Sequence, residues 1–377
     1  MQPYYQDDRA TLYLGDCLDV VPQLDVSVDL LPLLSENVRD VPVTQEIARV
    51  QPRSGVSART LRAVRVDGPM SLLAVYDGLE AVWAWALGLQ HSGRPTELAS
   101  GAYQHLYELD PLAHSHAWPF GAFNAGDVDF NQQLVRRATL AVERTVSVWE
   151  HLSTMVRSLT VYASPNRVSL ALNLVGHSTD RASATNTTAG LAALSEPDWQ
   201  VIEFHQLEAR LAPVSAETAL DGDDAISLTS LRLDVSHHLK TRQRRDTGLY
   251  IGEPRRDQLP AVFGSLTAPY YDSDTLVGWA RAQTVLMAEL RFTGPEIAAT
   301  GYNYQLCFWL PALQLEAAEA GTQGAADREQ NLNFRASVSE TAPAGFPSVG
   351  VPGPLYVELV SADEINPLTG VAGSGLS

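Results

Sequence analysis

The chain has 377 residues, 45% hydrophobic and 19% charged, the profile of a folded globular protein with room for two or three domains. Its formal charge is −18, from 44 acidic against 26 basic side chains, and Lys240 is the sole lysine; such a surface repels nucleic acid. No apolar run reaches the roughly 18 residues of a bilayer span, and the segment Met1 to Asp8 lacks the regions of a secretory signal, so folding in a cytoplasm is expected.

Taken in chain order, Thr11 to Gly15 reads as a short strand ended by glycine, and Leu30 to Leu34 as an apolar run broken by Pro32, suited to an edge. From Glu36 to Leu61 the chain turns polar, with Pro42, Pro52, Gly55 and the arginines Arg39, Arg49, Arg53 and Arg59, Arg62 following just after; this predicts a long loop between two strands. Alternation returns at Leu61 to Val66, and Ser71 to Tyr76 continues as strand. Asp77 stands where an N-cap belongs, ahead of Leu79, Val82, Trp83 and Ala86 at helical spacing, with Gly88 as the stop. Further strands are predicted at His105 to Leu109, Ala138 to Val142, Val146 to Trp149, Met155 to Tyr162 and Val168 to Val175, with an irregular Pro-, Gly- and His-rich region up to about Asn131.

Ser178 to Leu194, rich in Ser, Thr, Asn and Ala, reads as a linking loop with one helical turn. Ile226 to Leu233 is a strand, and Lys240 to Arg256 repeats the basic excursion with Arg242, Arg244, Arg245, Arg255 and Arg256. A second helix is expected after Ser273 or Asp274, with Leu276, Trp279 and Ala280 as its buried stripe. Val285 to Phe292, Tyr302 to Leu310 and Asn331 to Ala336 supply later strands, and beyond about Ser337 a Pro/Gly/Ala/Ser composition predicts an extended tail packed on another surface.

Two of these stretches carry one skeleton. Val66/Val262, Gly68/Gly264, Trp83/Trp279 and Ala84/Ala280 all share one offset of 196 residues, so they align without a gap. That register points to a duplication, and four strands at short spacing after the first helix, Ala138 to Val175, point to a sandwich or open barrel. Gly68 and Gly264 mark a close approach of strands, and Trp83 and Trp279 anchor each helix to its sheet.

Chemistry is harder to find. Cys17 and Cys307, the only cysteines, lie in no zinc or redox spacing and read as reduced core thiols. His105, His114 and His116 lack a completing ligand nearby and read, with His237 and His238, as surface or interface residues and not as metal ligands. Asp221 to Asp224 lacks the later ligands of a calcium loop and reads as a solvated turn. No nucleophile elbow is present. The residues Tyr4 to Asp8, Thr11-Leu12-Tyr13, Gly15-Asp16-Cys17 and Val28-Asp29-Leu30 look like the opening of DNA adenine or cytosine-N4 methyltransferases, but Leu31 to Ser35 stands where the catalytic DPPY-type tetrapeptide belongs. Neither an enzyme nor a cofactor is expected. The arginine-rich excursions are expected to meet carboxylates on a neighbouring subunit, where a planar guanidinium pairs in a bidentate manner.

The order of features from Leu31-Pro32-Leu33-Leu34-Ser35-Glu36, through Val66-Asp67-Gly68, Trp83 to Gly88, Arg136 to Leu140 and Ser158 to Val161, resembles the tail tube proteins of long-tailed bacteriophages. The second half continues it through Gly252-Glu253-Pro254, Phe263 to Leu266 and Phe292 to Pro295, so the resemblance runs from roughly Leu31 to Ala336. It implies a mainly β chain of two tandem sandwich domains (31–195 and 196–336), each with a flanking helix and a long loop, between an amino-terminal arm (1–30) and a carboxy-terminal tail (337–377). It further implies stacked rings, three copies closing a pseudo-sixfold ring, with tape-measure and tail terminator proteins as partners in the virion tail, no membrane, and DNA passing unbound through the lumen. The arginines named above would then reach the adjacent ring. An acidic wall lets a duplex slide, which agrees with the charge. A methyltransferase-derived enzyme, or another tail or extracellular filament component, is the alternative.

Overall fold

The computed structural model describes residues 11–16, 29–48, 56–87, 96–109, 138–144, 146–183, 186–192, 194, 198–215, 219–241, 249–251, 254–271, 274–317, 329–339, 343–346, 353–364 and 374–375. The fold is mainly β: one large, almost wholly antiparallel sheet that does not close into a barrel, with three α-helices among the described residues. The first half comprises β1 (Thr11–Asp16), β2 (Asp29–Leu30), β3 (Leu33–Glu36), β4 (Arg39–Ala48), β5 (Val56–Leu73), α1 (Glu80–Leu87), β6 (Thr96–Ala99), β7 (Ala102–Glu108), β8 (Ala138–Glu143), β9 (Val148–Ser164) and β10 (Arg167–Gly176). Next come β11 (Ser178–Asp180) and α2 (Thr188–Ala192). The second half comprises β12 (Leu207–Pro213), β13 (Ala225–Ile226), β14 (Ser230–Ser236), β15 (Leu239–Lys240), β16 (Arg255–Arg256), β17 (Ala261–Ala268), α3 (Thr275–Ala282), β18 (Leu286–Glu296), β19 (Asn303–Ala317), β20 (Gln330–Ala336), β21 (Tyr356–Ser361) and β22 (Ser374–Gly375).

The duplication seen in the sequence extends to the pairing. In the first half β1 pairs β2 and β8, β8 pairs the start of β9, β9 pairs β10, β10 pairs β5, and β5 pairs β3 and β4. In the second, β12 pairs β13 and β18, β18 pairs β19, β19 pairs β20, β20 pairs β17, and β17 pairs β14. Even irregularities recur. The ladder of β9 and β10 skips Arg157 between Val156 and Ser158, and that of β19 and β20 skips Glu316 between Leu315 and Ala317. Bulges at matching places bend both strands alike. The amino-terminal stretch thus pairs in the first half as β12 and β13 pair in the second.

The stretch from Glu36 to Leu61, expected as a loop, is a two-stranded arm: Asp40 to Ala48 of β4 faces Val56 to Val66 of β5, joined through residues outside the described ones. Val43 and Leu61 are 38% and 42% exposed. Pro42, Pro52 and the arginines interrupt apolar/polar alternation over most of this stretch, so its sequence reads as a loop, although Ala63 and Val66 of β5 are buried. The second excursion also contains a ladder, β15 against β16. Helix α1 matches its predicted span, but Asp77 does not serve as its side-chain cap: its Oδ1 accepts a 3.2 Å hydrogen bond from the Ala362 amide, while Glu80 Oε2 accepts one from the Gly78 amide at 2.7 Å.

One hydrophobic cluster runs through both halves, from Leu31, Val66 and Trp83 to Leu233, Phe308 and Phe334. Burial of such aliphatic and aromatic side chains is worth about 1.5–3 kcal/mol each. The carboxy-terminal segment takes part in the sheet: β21 pairs β19 of the second half on one side and β7 of the first on the other. Its Tyr356, Val357 and Leu359 are fully buried.

Candidate assembly interface

The two halves meet edge to edge. Ser158 to Ala163 of β9 pairs Ser236 to Leu231 of β14, so the sheet crosses from one repeat to the next without a break. Leu159, Val161, Leu233 and Val235 are buried beneath the joint. On its other face Thr160 Oγ1 donates 2.6 Å to Asp234 Oδ1, Arg232 Nε donates 2.7 Å to Asp234 Oδ2, and the Arg232 guanidinium lies over the Tyr162 ring at 5.3 Å. Cross-strand pairs of this kind fix register as well as adding stability.

Gly264 lies on β17 beside this joint, and Gly68 occupies the matching place on β5 of the first half. A Cβ on Gly68 would run into the Asn37 carbonyl oxygen and stand 2.7 Å from the Val38 Cα; one on Gly264 would run into the Arg232 carbonyl oxygen and stand 2.7 Å from the Phe334 ring. Only glycine permits backbones to come so close. The equivalence continues along the strand that each glycine faces. Ser35, Glu36, Arg39, Asp40 and Val41 oppose on β5 the counterparts of the residues that Ser230, Leu231, Asp234, Val235 and Ser236 oppose on β17, at a constant offset of 195.

The other predicted residues distribute as follows. Trp83 is fully buried, its ring edge-on to Phe308 of the second half at 5.7 Å. Trp279 is half-buried against the same core. Arg39 is exposed on β4. Arg59 lies on β5 and Arg255 on β16, with side chains outside the described atoms, whereas Arg49, Arg53, Arg242, Arg244 and Arg245 lie outside the described residues. Arg256 points inward instead, and its Nη2 donates 2.8 Å to His237 Nδ1.

That bond assigns the tautomer of His237, whose Nε2 then donates 2.6 Å to the Ala86 carbonyl at the end of α1. Burial, with Arg256 adding to it, lowers its pKa to about 3, so the ring is neutral. His151 is likewise lowered to about 4, chiefly by burial. His105 is buried and its Nε2 lies 2.8 Å from the Asp363 carbonyl; His114 and His116 are outside the described residues. Among the described residues no three His, Cys, Asp or Glu side chains are placed to hold a metal ion.

Sequence reasoning missed the contacts of the carboxy-terminal segment. Glu80 is buried, and desolvation first, then the charge of Asp363, raises its pKa to about 8. Asp77 is raised by the same burial. A helix-start glutamate shows in the sequence, but nothing there places Ser361 to Asp363 beside it. Compared with protein-family models and with curated proteins, the chain matches none.

Proposed function

We propose that the chain is a structural subunit that assembles with copies of itself into stacked rings forming a tube, in the manner of bacteriophage tail tube proteins. The observation that carries this reading is the joint of β9 and β14: two repeats of one pairing scheme already share a sheet edge to edge, and repetition between copies continues that sheet. With two tandem sandwich repeats per chain, three chains supply six repeats to a ring. Closure consumes the open edges that would otherwise aggregate. The −18 charge favours a lumen along which DNA slides without adhering.

Negative-stain microscopy of the purified full chain tests the proposal. Rings or hollow filaments are expected, and a monodisperse monomer at every concentration and salt overturns it. The methyltransferase alternative has less support, because β1 and β2 are spent on the same sheet positions as β12 and β13. Calorimetric titration with S-adenosylmethionine, expected to show no heat of binding, tests that alternative directly.

A further inference from the structure

β21 ends at Ser361, where its ladder with β7 closes on Tyr103, and the chain then turns across the start of α1. Side chains from β7, from α1 and from the loop before it hold Ser361 to Glu364 in place. The Tyr103 hydroxyl donates 3.1 Å to Glu364 Oε2, His105 Nε2 donates 2.8 Å to the Asp363 carbonyl, and Asp77 Oδ1 accepts 3.2 Å from the Ala362 amide. The Ser361 side chain hydrogen-bonds the Glu80 carboxyl beneath it. We propose that this segment is a strap, closed over α1 by a proton on Glu80 and released when that proton leaves. The proposal does not depend on the chain assembling with itself.

Burial and hydrogen bonding call for that proton. Glu80 is 2% exposed; its Oε2 accepts the Gly78 amide at 2.7 Å, and its Oε1 has no hydrogen-bond partner among the described residues. The Tyr107 hydroxyl, close enough to feel the Glu80 charge, is likewise buried without a partner. An ionised Oε1 in such a place is a buried charge to which nothing donates, whereas a protonated one is neutral and offers a donor of its own.

The surrounding groups act in the same direction. The loop before α1 brings Asp77, itself bonded to the Tyr304 side chain of β19; the strap brings Asp363; β7 brings Tyr107 and His105. The charges that bear on Glu80 are those of Asp363 and Asp77, both negative. Tyr107 and His105 supply no cation, because burial pushes the tyrosine hydroxyl up and the histidine down. Desolvation first and Asp363 next raise Glu80 to about 8. With the strap open Glu80 meets water and returns to its ordinary 4.5, so closure is fully favoured below 4.5 and that advantage is lost as pH rises to about 8. Ionisation sets Glu80 against Asp363, a residue of the strap itself. Release frees the segment beyond β21 and leaves β21 in place, since its ladders with β7 and β19 end at Ser361 and Val360.

Hydrogen exchange of the full chain at pH 7 and pH 9, each amide normalised to its intrinsic rate, tests this. Both values lie above 6.5, so His105 is neutral whether the strap is open or closed. The Ala362 amide is expected to exchange faster than those of Leu170 to Leu174 in β10 at either pH, the mark of local opening. Its opening should increase roughly tenfold from pH 7 to pH 9, the factor set by 4.5 open and about 8 closed. Glu80→Gln, neutral at every pH and still a donor, is expected to abolish that increase. Asp363→Asn, which removes the strap's own charge, is expected to reduce it. Ala362 exchanging only as slowly as β10 assigns the opening to global unfolding and overturns the strap. An increase undiminished in Glu80→Gln overturns the role of its proton; should that variant not fold, an undiminished increase in Asp363→Asn does the same.

Discussion

The Asn37 carbonyl oxygen fills the space into which a Cβ on Gly68 would project, and the Arg232 carbonyl does the same at Gly264. Each obstacle is backbone, Arg232 paired from its far side by β9 and Asn37 tied by its amide to the Pro69 carbonyl at 3.0 Å, so it cannot swing away like a flexible side chain. Gly68→Ala and Gly264→Ala are therefore each expected to destabilise the chain by about 3 kcal/mol or more, the upper end of overpacking costs. Gly278→Ala is the control of opposite sign: it lies in α3 with nothing within 4 Å of its added methyl, and a gain of about 0.5–1 kcal/mol is expected. Urea unfolding of the three variants checks both signs.

The two tryptophans at matching positions are expected to differ. Trp83 is fully buried and touches Phe308 across the boundary between repeats, so Trp83→Ala should cost about 3–5 kcal/mol. Trp279 is half-buried, and Trp279→Ala should cost about 1–2 kcal/mol. Equal losses in denaturant unfolding would contradict this asymmetry.

The alternation of Val168 to Leu174 was legible because β10 lies between β5 and β9 with one face on the core. The repeat was legible at Gly68 and Trp83 because each answers a hard constraint, close backbone approach in one case and a large core void in the other. The hairpin of β4 and β5 was illegible for the reason already given, the prolines and arginines that interrupt its alternation. β21 was hidden differently: Tyr356 to Ser361 is a short run set among proline and glycine, and only its distant partners β7 and β19 make it a strand.

Glu80 gives stability a pH dependence of known sign. Its folded pKa of about 8 lies above the ordinary 4.5, so the folded chain holds a proton that the unfolded chain releases. The stabilisation is complete below about pH 4.5 and is lost as pH rises through about 8. His237 acts in the opposite sense, since its lowered pKa of about 3 makes stability fall as pH drops from 6.5 through 3. Thermal melts at pH 7.5 and pH 9 isolate the first effect, because both lie above 6.5, where His237 is neutral in the folded and the unfolded chain alike. Glu80→Gln should remove much of the decline in Tm between these two pH values; a decline as steep as that of the unsubstituted chain would assign it to other groups.

Arg242, Arg244 and Arg245 lie beyond β15, in the excursion that matches the arm of β4 and β5. In the proposed assembly these guanidiniums meet carboxylates of the adjacent ring. Replacing all three with alanine is expected to leave rings intact and to shorten or abolish stacks. Pairs exposed at such an interface are screened, so stacking of the unsubstituted chain should also weaken between low and high salt. Negative-stain microscopy separates single rings from stacks, and circular dichroism reports on the fold. A collapsed thermal transition in the triple variant would instead assign the three arginines to the fold of each chain.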